Sequence, residues 1–316
     1  MTYGPLDLLT VGEALVEVMR TGIGQPLHQP GPFIGPYPSG APFIFAAQAA
    51  RLGMQVGAIG SVGQDAFGQC LLDQLAKDHI TASGVRTLPG RTTGVAFVAY
   101  NADGSRNFVF SLGAGGELTP DMLDPALFEG LRCLHLMGST LSMSQQALET
   151  GQAALELAKE NGATFSFDPN VRPEMLPLDQ AREIFAPFIA AADVLIPTAE
   201  ELIALTQQPD VISAADHLLS VEPSRIIVVT EGAKGCTVYN REGATHAPGF
   251  SITEVDPTGA GDCFDAGFLA GWLSGSTLVD AARLGNACGA LAVTKQGPMA
   301  GAARLATVRE FMASQS

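Results

Sequence analysis

The run Asp256-Pro257-Thr258-Gly259-Ala260-Gly261-Asp262 holds the residues whose types and spacing best suit chemistry. Gly259, Ala260 and Gly261 carry almost no side chain, so their backbone N–H groups can crowd toward one point. The apolar run from Cys263 to Leu273 that follows reads as a helix. A helix N-terminus adds unpaired N–H groups and the positive end of its dipole. Together these make an anion site suited to a phosphate. Asp262 stands at its lip. Asp is a preferred helix cap, which is one use for it. A carboxylate beside an anion hole also suits a base that takes the proton of a hydroxyl attacking a phosphoryl group. Ahead of the turn, residues 250–255 form a polar-edged extended run and predict a strand.

The rest of the chain must position that turn. The 316 residues can hold one large α/β domain with a small attachment, and 47% hydrophobic content supports a sizeable core. A net charge of −15 argues against nucleic acid or an anionic membrane as partner. An anionic ligand remains compatible, because local N–H groups and a metal ion outweigh the global field. The five cysteines (Cys70, Cys133, Cys236, Cys263 and Cys288) are odd in number and scattered. They suggest reduced thiols in the cytosol rather than zinc or a disulfide framework. No apolar run has the length of a membrane span, and Met1 to Pro5 shows no signal pattern. The histidines His28, His79, His135, His217 and His246 have no metal-binding spacing.

Taken in order, Leu8 to Gly12 reads as a strand that Glu13 to Val18 continues. Residues 21–42 are rich in Pro and Gly with Phe33, Ile34 and Tyr37 interleaved, which predicts extended edge strand and turns. A helix from Phe43 to Leu52, a strand from Val56 to Gly60 and a helix from Asp65 to about Asp78 set an α/β rhythm. That rhythm breaks at residues 92–111. There Val95 to Tyr100 and Asn107 to Ser111 read as a hairpin around the turn Asn101-Ala102-Asp103-Gly104. Such a hairpin has no place in a parallel sheet, so it joins residues 13–40 in a small β lid that keeps water from a reactive phosphate. After Pro120, strands are predicted at 133–137, 164–168, 193–196 and 225–230, and helices near 144–160, 178–190, 199–206 and 212–220. Two antiparallel edge strands follow, Cys236 to Asn240 and Thr245 to Ile252. Helices at 262–273 and 278–293 close the pattern, with Gly267, Gly271 and Gly275 marking a close helix contact.

The D-P-T-G-A-G-D run resembles the C-terminal signature of the ribokinase-type (PfkB) sugar kinases, in the bacterial ketohexose and 2-keto-3-deoxygluconate kinase branch. The resemblance implies a mostly parallel central sheet flanked by helices, with a β lid. Residues 1–12, 41–91 and 116–316 would form the α/β domain, and 13–40 with 92–115 the lid. It makes Asp262 the catalytic base and Gly259, Ala260 and Gly261 the anion hole. The Ser39-Gly40-Ala41-Pro42 start and the 60–68 run resemble the family's first signature, with Ser39 for its usual Gly and Ile44 for its usual Asn. Ser39 and Gly40 would then bind sugar, although alone they read as an ordinary helix start. Glu17 falls where the family places an acid that holds sugar hydroxyls, and Glu13 competes with it.

Asp168-Pro169-Asn170-Val171-Arg172 resembles the D-x-N-x-R run of the same branch, which gives Asn170 to the substrate and Arg172 to the substrate or transferred phosphoryl. Read alone, Arg172 is a surface ion-pair partner. Thr198-Ala199-Glu200-Glu201 resembles N-x-x-E, which makes Glu201 an organiser of Mg2+ through water; both acids also suit a helix's first turn. Thr230, Gly232 and Gly235 match the nucleotide loop, Asn286 and residues 295–298 would line the adenine pocket, and Asp256 with Thr258 would help to bind K+.

These features predict an ATP- and Mg2+-dependent kinase for a primary hydroxyl of a ketohexose such as tagatose or fructose, working as a cytoplasmic homodimer joined through the lid. 2-Keto-3-deoxygluconate kinase is the alternative. Against it, the hairpin shows no evident Arg and Tyr pair for a carboxylate, although Arg106 and Tyr100 lie nearby. A non-catalytic sugar- or nucleotide-binding regulator is the other.

Overall fold

The structure is a computed structural model and describes residues 4–103 and 105–315. The chain begins with β1 (Leu8–Val11), then leaves for a second sheet through β2 (Leu15–Arg20) and β3 (Phe33–Ser39). It returns with α1 (Ala41–Arg51), β4 (Val56–Gly63), α2 (Ala66–Lys77) and β5 (Thr81–Leu88). A second excursion makes β6 (Gly94–Tyr100) and β7 (Arg106–Ser111). Next come β8 (Cys133–Met137), α3 (Gly138–Leu141), α4 (Gln145–Glu160), β9 (Thr164–Asp168), α5 (Leu178–Ala191) and β10 (Val194–Leu195). The chain continues through α6 (Ala199–Thr206), α7 (Val211–Val221), β11 (Ile226–Thr230), β12 (Gly235–Asn240) and β13 (Gly243–Pro248). It finishes with α8 (Ala260–Leu273), α9 (Leu278–Ala292) and α10 (Leu305–Ser314).

The large sheet runs β13-β12-β11-β10-β9-β8-β1-β4-β5, parallel except for the β11-β12-β13 meander at one edge. Alternate residues of β8 feed two cores. Cys133 and Met137 join the layer under α1, α8 and α9, with Phe43, Phe45 and Phe268. Leu134 and Leu136 join the opposite layer, with Phe165, Phe185 and Phe188. Burial on both faces explains why these strands read as short apolar runs. The expected helix starts are capped: the Asp65 side chain accepts from the Gly68 N–H at 2.8 Å, and Asp210 accepts from Ser213 at 2.8 Å.

The small sheet runs β3-β2-β6-β7. Pro36 and Pro38 sit in its edge strand β3, where a missing N–H costs no ladder bond. Parallel pairing of β2 with β6 joins the two excursions into one sheet. Gly104, in the predicted hairpin turn, lies outside the described residues.

Four features depart from the sequence reading. Glu13 to Val18 does not continue β1; the chain breaks at Gly12, where an added Cβ would lie 2.3 Å from Thr140 Oγ1, and re-forms as β2 in the other sheet. The strand β5 and the helices α3 and α10 were not foreseen. Residues 250–255 form no strand: the Val255 and Asp256 N–H groups donate to Val293 O at the end of α9, at 2.8 and 3.1 Å, instead of to a neighbouring strand. Finally, the small-residue stripe packs as expected at Gly267, where a Cβ would lie 2.8 Å from Gly285 Cα, and at Gly271, but Gly275 ends the helix at φ 83° in open space.

Candidate active site

The carboxyl ends of β1, β8, β9 and β11 meet the start of α8 and the underside of the small sheet around a cleft of about 620 Å³. Open α/β sheets bind ligands at this edge.

Gly259 caps α8 at φ 83°. A Cβ there would lie 2.6 Å from Pro298 O and 3.1 Å from Ile44 Cγ2, so both conformation and space require glycine. At Gly261 a Cβ would meet nothing within 4 Å, so this stretch of backbone is open. Gly259, Ala260, Gly261 and Asp262 all line the cleft. Asp262 is 6% exposed. Burial, then the charge of Asp168, pushes its carboxyl up to about 8, while Arg172 pulls the other way. The structure therefore makes Asp262 a stronger base than a solvated carboxylate once ionised.

Two acids enter from the β1–β2 side. Glu13 accepts from Ser139 Oγ at 3.1 Å and Thr140 Oγ1 at 2.6 Å, so each of its oxygens already has a donor. Glu17 accepts from Ser39 Oγ at 3.1 Å through one oxygen, and its other oxygen is buried with no partner. Burial, then the charge of Asp256, raises the Glu17 carboxyl to about 8. Of the two competing acids, Glu17 has the spare acceptor. Gly40 stands at φ 101°, where a Cβ would lie 2.2 Å from Glu13 O, so glycine lets the chain pass between the acids and α1.

After β9, the Asp168 carboxylate accepts from the Asn170 backbone at 2.9 Å and from its side-chain amide at 3.0 Å. These bonds hold Asn170 at φ 37°, a left-handed conformation that Asn tolerates. Asn170 Oδ1 is buried without a partner, and Arg172 lines the cleft with no side-chain ion pair among the described residues. Glu201 closes a capping box with Thr198 and also accepts from the Val171 N–H at 2.7 Å. It thus ties α6 to the Asn170–Arg172 loop. Glu200 is exposed and does not line the cleft.

The remaining predicted residues divide. Thr230 and Thr258 line the cleft, whereas Gly232, Gly235 and Asn286 do not. Gly235 shapes the bend, since a Cβ would lie 2.2 Å from Ala247 O, and Asn286 spends its amide on Ala247 O at 2.9 Å and Pro248 O at 3.2 Å. The Asp256 carboxylate is occupied by Tyr100 Oη at 2.6 Å, the Thr258 N–H at 3.0 Å and the Gly297 N–H at 2.8 Å.

Sequence reasoning noted Tyr100 and Arg106 only as lying near the hairpin and gave neither a role. Arg106 donates to Thr258 Oγ1 at 3.1 Å and lines the cleft beside Phe108 and Phe110. Phe108 and Phe110 therefore face the site, not an outer surface. Their alternation with exposed Val109 was the available signal. Asp265, one turn beyond Asp262, also lines the cleft.

Comparison with known proteins agrees with this geometry. Residues 7–304 match the pfkB family carbohydrate kinases, and the chain belongs to that family. It is 30% identical over 318 residues to fructokinase-2 of Zea mays, covering 97% of this chain and 94% of the relative. It superposes with TM-score 0.92 and 37% identity on a candidate ribokinase II of E. coli in complex with ATP and Mg2+, covering 98% of this chain and 99% of that one. A fructokinase double mutant from Vibrio cholerae O395, bound to fructose, ADP and potassium, superposes with TM-score 0.85 at 27% identity, covering 98% and 99%. The chain is an ATP-dependent carbohydrate kinase, a phosphotransferase with an alcohol acceptor. Among the described residues no helix is long and apolar enough to cross a membrane.

Proposed function

We propose that this kinase transfers the γ-phosphoryl of ATP to a primary hydroxyl of a ketohexose, with fructose first and tagatose next. The observation that carries the reading is Asp262, buried at the lip of the Gly259–Gly261 turn in a cleft that Arg172 also lines. Named relatives that are fructokinases support the sugar. The sugar hydroxyls would bond to Glu17, which has a spare oxygen, and to Ser39, Gly40 and Asn170. Asp262 accepts the proton of the attacking hydroxyl as its bond to phosphorus forms. The backbone at Gly259, Ala260 and Gly261, with Arg172, stabilises the charge that develops on the phosphoryl oxygens.

Of the residues expected to meet nucleotide and metal, Thr230, Thr258 and Glu201 line the cleft. Thr230, Gly232, Gly235 and Thr258 would border ATP, with Asn286 setting the strand edge behind the adenine. Glu201 would hold Mg2+ through water, and the metal would neutralise phosphate charge. Because the Asp256 carboxylate is engaged by three donors, backbone carbonyls of its turn would supply most of any K+ site.

We assign the protein to the cytoplasm, where ATP and reduced thiols such as its five free cysteines coexist. The small sheet would act as the lid, and residues 13–40 with 92–115 as its limits. Exposed Phe33, Ile34 and Val109 on that sheet suit a lid-to-lid homodimer, which sedimentation velocity would test.

A sugar acid is the second reading, because Arg106 enters the cleft and would meet a carboxylate. Coupled ADP release with fructose, tagatose, ribose and 2-keto-3-deoxygluconate tests the choice. Turnover only on the acid would overturn the ketohexose reading. ATP binding without turnover on any sugar would favour a regulator.

A further inference from the structure

The hairpin of the small sheet reaches the turn before α8 at two places. Tyr100 and Arg106 face each other across β6 and β7. The Tyr100 phenol donates to Asp256 at 2.6 Å. Arg106 Nη1 donates to Thr258 Oγ1 at 3.1 Å, on the residue that precedes Gly259. A guanidinium is thereby delivered from the small sheet to the rim of the anion site.

Its aim is fixed from behind. Arg106, Phe108 and Phe110 are alternate residues of β7, so they project from one face of the strand, and all three line the cleft. The Arg106 guanidinium carbon lies 5.3 Å from the centre of the Phe108 ring, within range of a cation–π contact. Phe108 in turn stacks on Phe110, with ring centroids 5.4 Å apart and planes 10° from parallel. This column of two rings limits where the guanidinium can go, so less freedom is lost when a ligand arrives.

Its donors are mostly unspent. A guanidinium is a fork of several N–H groups. Among the described residues Arg106 makes one hydrogen bond, to a neutral hydroxyl, and no ion pair. Asp256, the acid of the adjoining turn, is already taken by Tyr100, the Thr258 N–H and the Gly297 N–H. A half-buried guanidinium with free N–H groups suits an anion. At the rim of the Gly259–Gly261 turn, the anion that every turnover brings is the phosphoryl group. A neutral ketohexose offers no charge to meet it.

We propose that Arg106 is a second catalytic arginine, which holds the oxygens of the transferring phosphoryl from the small sheet while Arg172 holds them from the loop after β9. The inference rests on the kinase reading of Asp262 and Arg172. In the transfer, the sugar oxygen bonds to phosphorus as the bond from phosphorus to the bridging oxygen of ADP breaks. The hydroxyl proton passes to Asp262. Arg106 keeps its protons and donates hydrogen bonds, which strengthen as charge builds on the phosphoryl oxygens. A guanidinium that held a carboxylate of the sugar would act on ground-state binding instead, and kinetics separate the two.

Arg106→Ala and Arg106→Lys are compared with the wild type, using Mg-ATP and whichever sugar of the panel the wild type phosphorylates. Failure of the kinase reading appears in the wild-type arm, before any variant is compared, and takes this proposal with it. The expected result for Arg106→Ala is a kcat lower by about 10²–10³-fold, with the sugar KM within about threefold of wild type. Calorimetry gives a readout apart from turnover. With sugar present, the wild type should bind Mg-ADP plus aluminium fluoride, which imitates the phosphoryl in transfer, more tightly than Mg-ADP alone. Arg106→Ala should lose about ten- to a hundredfold of that gain while holding its Mg-ADP affinity within about threefold. Should the Ala protein not fold, as read by its melting curve, Arg106→Lys decides. An ammonium lacks the planar fork, so kcat should fall at least about tenfold with the sugar KM held. A kcat within about threefold of wild type, a loss confined to the sugar KM, or an unchanged gain from aluminium fluoride would each overturn the proposal.

Discussion

Tyr100, at the end of β6, donates a 2.6 Å hydrogen bond to Asp256, six residues before the base, and so ties the small sheet to the turn that builds the anion site. The phenol stays protonated, because burial and that hydrogen bond both oppose its ionisation. Tyr100→Phe should remove the tie without opening a cavity. The expected result is a sugar KM raised about threefold to tenfold, the worth of a hydrogen bond to a charged acceptor, with kcat little changed. Steady-state kinetics would check it, and an unchanged KM would show that the lid is held by other contacts.

Asp262→Asn should lower kcat by about 10²–10⁴-fold, the usual worth of a positioned general base. ATP binding, followed by calorimetry, should persist. Turnover within tenfold of wild type would remove Asp262 from the role.

The pH dependence follows from the same burial. The Asp262 carboxyl is raised to about 8 in the folded chain, so kcat/KM should climb with pH and level off above about 8. Stability runs the opposite way. A carboxyl whose pKa is higher folded than unfolded binds the proton more tightly in the folded state. Its penalty is absent below the unfolded value near 4 and grows as pH rises toward 8. Asp262→Asn should therefore be the more stable protein at pH 8, by on the order of 1 kcal/mol or more, with the difference vanishing near pH 4. Melting curves at the two pH values would check the sign.

Arg172→Gln should reduce kcat by about 10²–10³-fold, comparable to the loss of one donor to a developing charge. The ATP KM should change less. A fall confined to KM would mean that Arg172 binds the ground state only.

Gly259→Ala should cost about 1–3 kcal/mol for a left-handed non-glycine residue, and more for the 2.6 Å approach to Pro298 O. Thermal unfolding would measure it. A variant as stable as wild type would show that the turn can relax.

The D-P-T-G-A-G-D turn was legible in the sequence because its chemistry is that of the backbone, and three small residues at a helix start leave few alternatives. The parallel sheet was legible because strands buried on both faces read as plain apolar runs. Thr81–Leu88 escaped because an edge strand with half-exposed, mixed side chains has neither a clean alternation nor an apolar run. Residues 250–255 misled for the reverse reason: their pattern suits a strand, but their N–H partner, Val293 O, lies some forty positions away at the end of another helix. Tyr100 and Arg106 went unassigned because their partners Asp256 and Thr258 are 156 and 152 residues distant, and no local spacing encodes such a meeting. Glu17 and Glu13 could not be separated until Ser139 and Thr140, from α3, were seen to occupy Glu13 alone.

The Gly267–Gly285 approach between α8 and α9 sets how firmly the anion site is backed. A Cβ at Gly267 would lie 2.8 Å from Gly285 Cα and 3.0 Å from Cys288 Sγ, so α8 rests directly on α9 with little room to settle when a negatively charged ligand arrives at its tip. The tip of α8 thus presents its N–H groups from a backed support, an anvil rather than a spring.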